Sequence, residues 1–406
     1  MKCTLHNLGC KVNSYETEAM RQLLEAAGYE IVEFGSETAD VYIINTCTVT
    51  NIADRKSRQM LHKAKKDNPN AVVVAAGCYV QEAGEKLLAD EAVDIIVGNN
   101  RKGQIVEVLE EYFKGRNIDN SFIDINKTRE YENLEINASP AHTRAYIKIQ
   151  DGCNQFCTYC IIPFARGRVR SRKIEDIIDE VRKLAESGCH EIVVTGIHLS
   201  SYGLDFDNTE YNAQTVPNAE RLLQVLEAIA DVDGIDRIRL GSLEPRIITD
   251  TFLERLSAIP QICPHFHLSL QSGCDETLKR MNRRYDTEEF REGVEKIRRY
   301  FDKPAITTDV IVGFPGETDE EFAITRKYLE EINFFEMHVF KYSRRKGTIA
   351  DRMENQIPDS VKSERSDVLI ELDEELSRAY RESFTGSAEV VLVEEYVECD
   401  GIKYAV

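Results

Sequence analysis

Short apolar runs alternate with amphipathic segments through the first hundred residues of the chain. Four of the runs have the length and composition of buried strands: Thr4–Leu8, Val41–Thr46, Val72–Ala76 and Ile95–Val97. The segments after them have helical spacing of apolar residues: Ser14–Ala27, Asn51–Asp67, Gln81–Ala89 and Gln104–Lys114. Alternation of strands and helices is typical of a parallel sheet covered on both faces. We therefore predict an N-terminal, doubly wound α/β domain over residues 1–115.

A second βα series follows a polar connector, residues 116–138, in which Ser121–Ile125 has the pattern of an antiparallel strand. The strands predicted for this series are Ala145–Ile149, Glu191–Thr195, Arg237–Ser242, His265–Leu270, Ile306–Val312 and Met337–Lys341. Six βα units are fewer than the eight of a complete barrel. With the polar helix Pro358–Phe384 at its end, the segment 139–384 predicts a partial, open-sided, TIM-like (βα)6 barrel.

The last residues have the pattern of strands again. Ala388–Glu395 is strand-like, and Lys403–Val406 looks like another strand. Because two strands do not make a stable domain, we expect residues 385–406 to be the start of a small β-domain within which the chain is truncated.

The size and charge of the chain limit the classes of protein to which it can belong. With 406 residues, 42% of them hydrophobic, two or three domains with sizeable cores are expected. The chain has no run of 18 apolar residues and no apolar signal segment at its N-terminus, which predicts a cytoplasmic protein outside the membrane. The net charge of −20 argues against non-specific nucleic-acid binding, but basic residues cluster at Arg166–Arg172, Lys279–Arg284 and Lys341–Lys346.

Three cysteines lie close together after the first barrel strand. Cys153, Cys157 and Cys160 have the spacing C-x3-C-x2-C, on the face where barrel active sites lie. The odd total of eleven cysteines argues against a disulfide framework and favours metal or redox chemistry. Three thiolates can hold three irons of a [4Fe–4S] cluster and leave the fourth iron open. The alternative is structural zinc, but no fourth Cys or His follows at a suitable spacing.

Three further cysteines end or follow the first three predicted strands. Cys10, Cys47 and Cys78 are far apart in sequence, and glycines precede two of them. Because the carboxyl ends of parallel strands share one edge of a sheet, these cysteines should converge on a second cluster. The alternative is three inert core cysteines, and packing or surface roles are expected for Cys3, Cys189, Cys263, Cys274 and Cys399.

Polar residues and glycines at the ends of the barrel strands are candidates for binding a nucleoside. Glycines there allow close backbone approach, although βα turns use glycine in any case. The candidates are Thr195, Gly196, Ser242, Glu244, Ser269, Gln271 and Gly313.

Four arginines alternate directly after the first barrel cysteines. If the segment is extended, Arg166, Arg168, Arg170 and Arg172 lie on one side, about 6–7 Å apart. This spacing suits successive phosphates, and the segment is predicted to bind RNA. The alternative is four solvated arginines paired with acidic residues.

The motifs around both cysteine groups resemble those of the radical S-adenosylmethionine (SAM) methylthiotransferases. The matching segments are LGCKVN (8–13), NTCTVT (45–50), AGCY (76–79) and GCNQFCTYCIIPFARGRVRSR (152–172). The resemblance implies a radical SAM barrel, SAM as cofactor and two [4Fe–4S] clusters. By the same resemblance, Cys153, Cys157 and Cys160 hold the SAM cluster, and Cys10, Cys47 and Cys78 hold an auxiliary cluster. The family's third domain, an RNA-binding β-barrel of the TRAM type, would begin in residues 385–406.

Branches of this family differ in substrate. LGCKVN, GRVRSR and TGIHLSSYG (195–203) look most like the branch that adds a methylthio group to C2 of N6-threonylcarbamoyladenosine at position 37 of tRNA. The resemblance thus implies the tRNA anticodon loop as partner, with an electron donor such as a flavodoxin or ferredoxin. The alternatives are isopentenyladenosine-37 (YGCQMN-type motif), a ribosomal-protein aspartate (LGCPKN-type motif) and, outside enzymes, a zinc-stabilised RNA-binding protein.

Overall fold

The computed structural model of the protein describes residues 1–116, 123–138, 143–206, 219–393, 396–399 and 402–405. Within these residues, no helix is both long and apolar enough to cross a membrane.

The N-terminal unit is a five-stranded parallel sheet with the strand order β2-β1-β3-β4-β5. Its strands are β1 (Lys2–Asn7), β2 (Glu30–Ile31), β3 (Val41–Thr46), β4 (Val72–Gly77) and β5 (Ile95–Val97). Its helices are α1 (Lys11–Ala26), α2 (Asn51–Asp67), α3 (Cys78–Ala83) and α4 (Ile105–Phe113), with 3-10 turns at Gly84–Ala89 and Lys102–Gln104. Helices α1 and α4 cover one face of the sheet and α2 and α3 the other, which confirms the doubly wound prediction.

Two details of this unit differ from the sequence prediction. The two-residue strand β2 was not predicted, because two residues give no apolar pattern. The helix predicted over Gln81–Ala89 instead begins at Cys78 and becomes a 3-10 turn after Ala83. The change matters for the site, because Cys78 occupies the first position of α3.

The second unit is an arc of parallel strands covered by helices. Its strands are β6 (Arg144–Asp151), β7 (Arg170–Ser171), β8 (Glu191–Gly196), β9 (Arg237–Leu240), β10 (His265–His267), β11 (Ala305–Val312) and β12 (Glu336–Lys341). Its helices are α5 (Ile162–Ala165), α6 (Ile174–Glu186), α7 (Ala219–Ala230), α8 (Asp250–Ser257), α9 (Asp275–Arg280), α10 (Thr287–Tyr300), α11 (Asp319–Ile332) and α12 (Asp359–Glu382). Further 3-10 turns lie at Leu199–Ser201, Pro245–Ile247 and Ala350–Arg352.

Six of these strands form the predicted partial barrel. β6, β8 and β9 pair in parallel, as do β10, β11 and β12. Isolated bridges between Ile238 and Ile262 and between Leu243 and Leu268 connect the two groups. The short β7 pairs antiparallel with β6. The apolar residues that face the surrounding helices form one large core, so the opposite face of the strands is the barrel interior.

Two strand predictions are wrong where the structure describes them. In the connector, residues 123–125 form no strand, while residues 121 and 122 lie outside the described residues. Near the C-terminus, residues 388–393 form no strand, while residues 394 and 395 lie outside the described residues. The strands found there are β13 (Tyr396–Cys399) and β14 (Ile402–Ala405), which pair antiparallel.

A buried polar group joins α1 of the first unit to the barrel. The Glu180 carboxylate, on α6, pairs with the Arg172 guanidinium, and both side chains are fully buried. Tyr15 of α1 donates to Glu180 Oε1 at 3.1 Å, and the Ile136 amide donates to the same oxygen at 2.7 Å. Helix, connector and barrel therefore share one carboxylate.

Replacing Glu180 by alanine is expected to destabilise the fold by about 3–5 kcal/mol, because it leaves the buried Arg172 cation without its partner. The matched control is Glu186→Ala at the exposed end of the same helix, which should change stability by less than about 0.5 kcal/mol. Denaturant titration under anaerobic conditions measures both values. If both variants had the same free energy of unfolding, Glu180 would not be the residue that joins α1 to the barrel.

Candidate active site

The three cysteines of the N-terminal unit converge at the carboxyl edge of its sheet. The Leu8 amide donates to the Asn45 carbonyl at 2.9 Å, so the ends of β1 and β3 lie side by side. Burial raises the pKa of Cys47 to about 12, with further contributions from the nearby Cys78 and Cys10 thiols. The thiols therefore interact with one another although 31 or more residues separate them.

Gly77 fixes the position of Cys78. A side chain at residue 77 would place its Cβ 2.5 Å from Asn45 Oδ1 and 2.7 Å from the Thr46 carbonyl oxygen, and the residue has φ +95°. Only glycine is compatible with this conformation and this contact. Its role is to let the ends of β3 and β4 approach each other, so that α3 begins with the cysteine.

The three barrel cysteines converge within one loop. The Cys160 amide donates to the Cys157 carbonyl at 3.0 Å, and the Gln155 amide lies 3.5 Å from Cys153 Sγ. Burial raises the pKa of Cys160 to about 12, and the nearby Cys157 thiol adds to this rise. The predicted convergence of Cys153, Cys157 and Cys160 is thus present in the geometry.

The turn after α9 holds this cysteine loop. The Thr158 amide donates to the Met281 carbonyl at 3.0 Å, and the Asn282 amide group donates to the Phe156 carbonyl at 3.0 Å. Arg283 Nη1 donates to Cys157 Sγ at 3.2 Å. A guanidinium at this distance stabilises the thiolate, the form that binds metal.

The chemistry of the donors fits iron–sulfur clusters. Each triad offers three thiols, and thiolates are the ligands that hold [4Fe–4S] clusters in proteins. Three thiols per group leave one iron of such a cluster without a protein ligand.

A buried charge cluster lies beside the N-terminal triad. Two carboxylates and four cations form it, each with a side chain at most 3% exposed: Glu16, Asp151, Lys102, Lys148, Arg166 and Arg170. Arg166 Nη1 is 2.8 Å from Glu16 Oε1 and 3.2 Å from Asp151 Oδ1. Lys148 Nζ is 2.9 Å from Glu16 Oε1. Glu16 comes from α1, so these ion pairs cross between the two units.

The charges of this cluster do not balance by themselves. Burial raises the pKa of the neighbouring Glu132 carboxyl, so that group is a poor source of compensating charge. Arg166 Nε and Arg170 Nε have no hydrogen-bond partner among the described residues. Uncompensated buried charge is costly. The Arg166 cation lowers the pKa values of the neighbouring Cys10 and Cys47 thiols, but burial has the larger effect and raises both.

Asn99 connects the N-terminal triad to the barrel. Its Nδ2 lies 3.5 Å from Cys78 Sγ and donates to the Ala165 carbonyl at 2.7 Å. Ala165 ends α5, the short helix that directly follows the barrel cysteine loop, and α5 packs against α3. Ala165 lies five positions after Cys160, and Asn99 links it to the Cys78 thiol of the other triad.

Three of the four arginines predicted to face RNA are buried. The side chains of Arg166, Arg170 and Arg172 are 0% exposed, so the prediction of an outward-facing row is wrong for them. Only Arg170–Ser171 pairs as a strand, and the acids that bind these cations, Glu16, Asp151 and Glu180, lie outside the arginine segment. Arg168 is partly exposed and stacks 4.6 Å over the Phe156 ring, so it alone keeps the predicted orientation.

Candidate nucleoside-binding residues lie at the ends of β8 and β9, beside the barrel cysteine loop. Glu244 is 3.1 Å from His198 Nε2, pairs with Arg246 and lies 3.3 Å from Gln155 Nε2. Burial alone would raise the pKa of Glu244, but His198 and Arg246 lower it to about 2. Thr195 is buried, Gly196 is half-buried and Ser242 is exposed at the same strand ends.

The remaining candidates have partners within the protein. The Ser269 carbonyl accepts from Arg283 Nη2 at 3.2 Å, and Gln271 has φ +74° and donates its amide to the Asp309 carbonyl at 2.8 Å. At Gly313 the amide donates to Glu317 Oε2 at 2.7 Å, and a Cβ would meet Lys362 Cγ of α12 at 2.3 Å. The missing side chain therefore leaves room for α12, and nucleoside binding by Gly313 stays a prediction.

Sequence reasoning missed the residues that hold the two triads in place. Glu16 had a signal, because it falls on the buried face of α1 with Val12 and Met20, and an acid on an apolar stripe needs a partner. Arg283 lies in a basic cluster that was read as surface, and Asn99 had no local signal.

Comparison with known proteins gives consistent results over both units. Residues 147–329 match the Radical SAM superfamily, and residues 2–98 match the uncharacterized protein family UPF0004. A solved structure of the radical SAM methyltransferase TsrM from Kitasatospora setae, with cobalamin and a [4Fe–4S] cluster bound, shares the fold. It superposes with a TM-score of 0.59 and 16% identity over 86% of this chain and 76% of that chain.

Curated relatives match nearly the whole chain. Threonylcarbamoyladenosine tRNA methylthiotransferase MtaB of Bacillus subtilis is 44% identical over 96% of this chain and 84% of its own length. The protein of the same name from Aquifex aeolicus is 39% identical, over 97% and 93%. The tRNA-2-methylthio-N(6)-dimethylallyladenosine synthase of Clostridium botulinum is 36% identical, over 95% and 84%. The chain is therefore a radical SAM methylthiotransferase, a transferase that uses SAM and a [4Fe–4S] cluster, and it is similar to the MtaB type.

Proposed function

We propose that the protein inserts a methylthio group at C2 of N6-threonylcarbamoyladenosine at position 37 of tRNA, using two [4Fe–4S] clusters and SAM. The observation that carries this proposal is the pair of convergent three-cysteine groups, which α3 and α5 hold next to each other. One group suffices for SAM cleavage; a second is needed to deliver sulfur. The names of the MtaB relatives support the choice of nucleoside.

The same geometry supports a proposal for the cluster ligands. Cys153, Cys157 and Cys160 would hold the SAM cluster, and Cys10, Cys47 and Cys78 would hold the auxiliary cluster. When bound, the first cluster supplies a 5′-deoxyadenosyl radical from SAM, and the second supplies the methylthio group. A radical is required because the C2–H bond of adenine is too strong for acid–base chemistry.

The protein's own side chains orient these groups and their substrates. Arg283 stabilises the Cys157 thiolate from 3.2 Å. Glu244, which His198 and Arg246 hold as an anion, is an acceptor for the amino or hydroxyl groups of SAM. The residues proposed to surround it are Thr195, Gly196, Ser242, Ser269, Gln271 and Gly313.

Contacts with tRNA and with a reductant complete the proposal. Arg168 is partly exposed and stacks on Phe156 of the barrel cysteine loop, so it is proposed to contact the anticodon loop. SAM cleavage needs one electron, and a flavodoxin or ferredoxin is proposed as its donor.

Iron content tests the ligand assignment. Protein reconstituted anaerobically should contain about eight irons and eight sulfides per chain, and each triple alanine variant of one triad should contain about four. The matched control replaces Cys189, Cys263 and Cys274, which lie outside both triads, and should keep about eight. A chain that binds stoichiometric zinc, with no iron even after reconstitution, would support the RNA-binding alternative and end the enzyme proposal.

Nucleoside analysis tests the substrate. A bacterial strain lacking its own methylthiotransferase for threonylcarbamoyladenosine should regain the 2-methylthio nucleoside when it expresses the wild-type chain, but not Cys47→Ala. Mass spectrometry of digested tRNA measures the product. Methylthiolation of isopentenyladenosine alone would favour the dimethylallyladenosine alternative, and unchanged tRNA would favour the ribosomal-protein one.

A further inference from the structure

The chain between β12 and α12 contacts both cysteine groups. We call its residues 342–350 the bridging segment. The segment begins directly after β12, which ends at Lys341. Its first residue, Tyr342, is buried and donates its amide to the Val312 carbonyl at 2.9 Å. The bridging segment therefore starts at the carboxyl edge of the barrel strands.

Both ends of the bridging segment are attached to the barrel cysteine loop. The Ala350 amide donates to the Thr158 carbonyl at 2.9 Å. The Tyr342 ring packs edge-on against the Phe314 ring, with centroids 5.4 Å apart. The Phe314 ring in turn lies 6.4 Å from the ring of Tyr159. Because Thr158 and Tyr159 belong to the cysteine loop, the segment and the loop form one packed unit.

Arg345, in the middle of the bridging segment, binds the stretch that follows Cys47. Its Nη1 donates to Asp54 Oδ2 at 2.6 Å and to Asn51 Oδ1 at 2.9 Å. Its Nη2 donates to Thr48 Oγ1 at 2.8 Å. The side chain of Arg345 is only 4% exposed. Since the donors of a guanidinium lie in one rigid plane, these three contacts fix the stretch relative to the barrel.

Backbone groups next to Arg345 strengthen this attachment. The Asn51 amide donates to Ser343 Oγ at 3.0 Å, and Asn51 Nδ2 donates to the Arg344 carbonyl at 3.0 Å. Ser343 and Arg344 directly precede Arg345. Three consecutive residues of the bridging segment therefore contact the start of α2.

The start of α2 and the loop before it fix Cys47 in turn. Ser57 Oγ of α2 donates to the Cys47 carbonyl at 3.1 Å and lies 3.3 Å from the Cys47 amide nitrogen. Thr48 Oγ1 donates to Asp54 Oδ1 at 2.7 Å, which ties the residue after the cysteine to the same helix. A displacement of α2 would therefore move Cys47.

Arg345 differs from the other basic residues around it. Four basic residues lie in the cluster Lys341–Lys346, and of these only Arg345 is buried. Arg344 is exposed and pairs with Asp351 at 2.6 Å. The Arg345 guanidinium thus lies between the two units of the protein, where it is shielded from the phosphates of an RNA.

We propose that Arg345 is a positioning residue, which holds Cys47 of the auxiliary triad in a fixed place relative to the barrel cysteine loop. The inference rests on the proposed function and adds no chemical step to it. Position matters because a misplacement of about 1 Å can lower a reaction rate on the order of a hundredfold. Glu16 connects α1, which follows Cys10, to the barrel. Arg345 makes the corresponding connection for Cys47.

Hydrogen exchange tests the contact without reference to activity. Arg345→Lys keeps the charge but loses the planar pair of Nη donors. In the cluster-loaded chain, the amides of residues 47–57 should therefore exchange about tenfold faster than in wild type. Mass spectrometry of peptides, with labelling under anaerobic conditions, measures the rates. The matched control is Arg344→Lys, which should exchange as wild type because that side chain is exposed.

Product ratios test the consequence for the reaction. With tRNA present, cluster-loaded Arg345→Lys should form 5′-deoxyadenosine at about the wild-type rate, because the barrel cysteine loop is unchanged. It should form the methylthiolated nucleoside about tenfold more slowly, because the auxiliary triad is misplaced. Its iron content should stay at about eight per chain, and Arg344→Lys should keep the wild-type ratio of the two products.

A second variant guards against a folding defect in the first. Asp54→Asn keeps the shape of the partner and removes its charge, so it should change exchange and product ratio in the same direction as Arg345→Lys. Wild-type exchange or a wild-type product ratio in both variants would overturn the positioning role and leave the proposed function intact. An equal fall in both products, or the loss of about four irons, in both variants would also contradict it, because Arg345 would then serve folding or cluster binding. A wild-type chain that cleaves SAM but modifies no tRNA would overturn the proposed function together with this inference.

Discussion

The ion pairs of Glu16 with Arg166 and Lys148 are the constraint on which the arrangement of the two cysteine groups depends. Glu16 belongs to the N-terminal unit, while Lys148 and Arg166 belong to the barrel, and all three side chains are almost completely buried. Apolar packing alone would hold the units together without fixing their register. Charged hydrogen bonds with defined geometry fix it, because loss of any one partner leaves a buried charge uncompensated.

The ion pairs between the two units also involve a residue that lies close to the cysteines. Arg166 lies one residue beyond α5, which follows the barrel cysteines, and its charge acts on the thiols of the other triad. This charge lowers the pKa values of Cys10 and Cys47, while burial raises them by more. The same side chain thus aligns the two units and opposes the effect of burial on the cysteines.

The sequence was a good guide where local pattern decides the structure. Val41–Thr46 was predicted exactly, since a strand buried on both faces is a continuous apolar run. Helix α2 was also predicted exactly; the Thr50 side chain caps its start by accepting from the Ala53 amide at 3.1 Å. The convergence of Cys10, Cys47 and Cys78 followed from the rule for parallel sheets, and the structure has it.

The sequence failed where distant residues decide. Alternating arginines predicted an exposed row, but Glu16 and Glu180, each remote from the segment or on another element, bind Arg166 and Arg172 inside the protein. The contact of Gly313 with α12 could not be predicted either, because Lys362 comes some fifty residues later. The spacing of residues within one segment does not indicate partners from elsewhere in the chain.

Helix α1 brings together two features of the molecule within its first two turns. Cys10 precedes its first residue, Lys11, and Glu16 lies slightly more than one turn further along. The Cys10 thiol and the carboxylate that pairs with the barrel cations therefore belong to one rigid body, and no rotation of the helix can move one without the other. A shift of this helix relative to the barrel would break the ion pairs of Glu16 and at the same time move Cys10 away from Cys47 and Cys78.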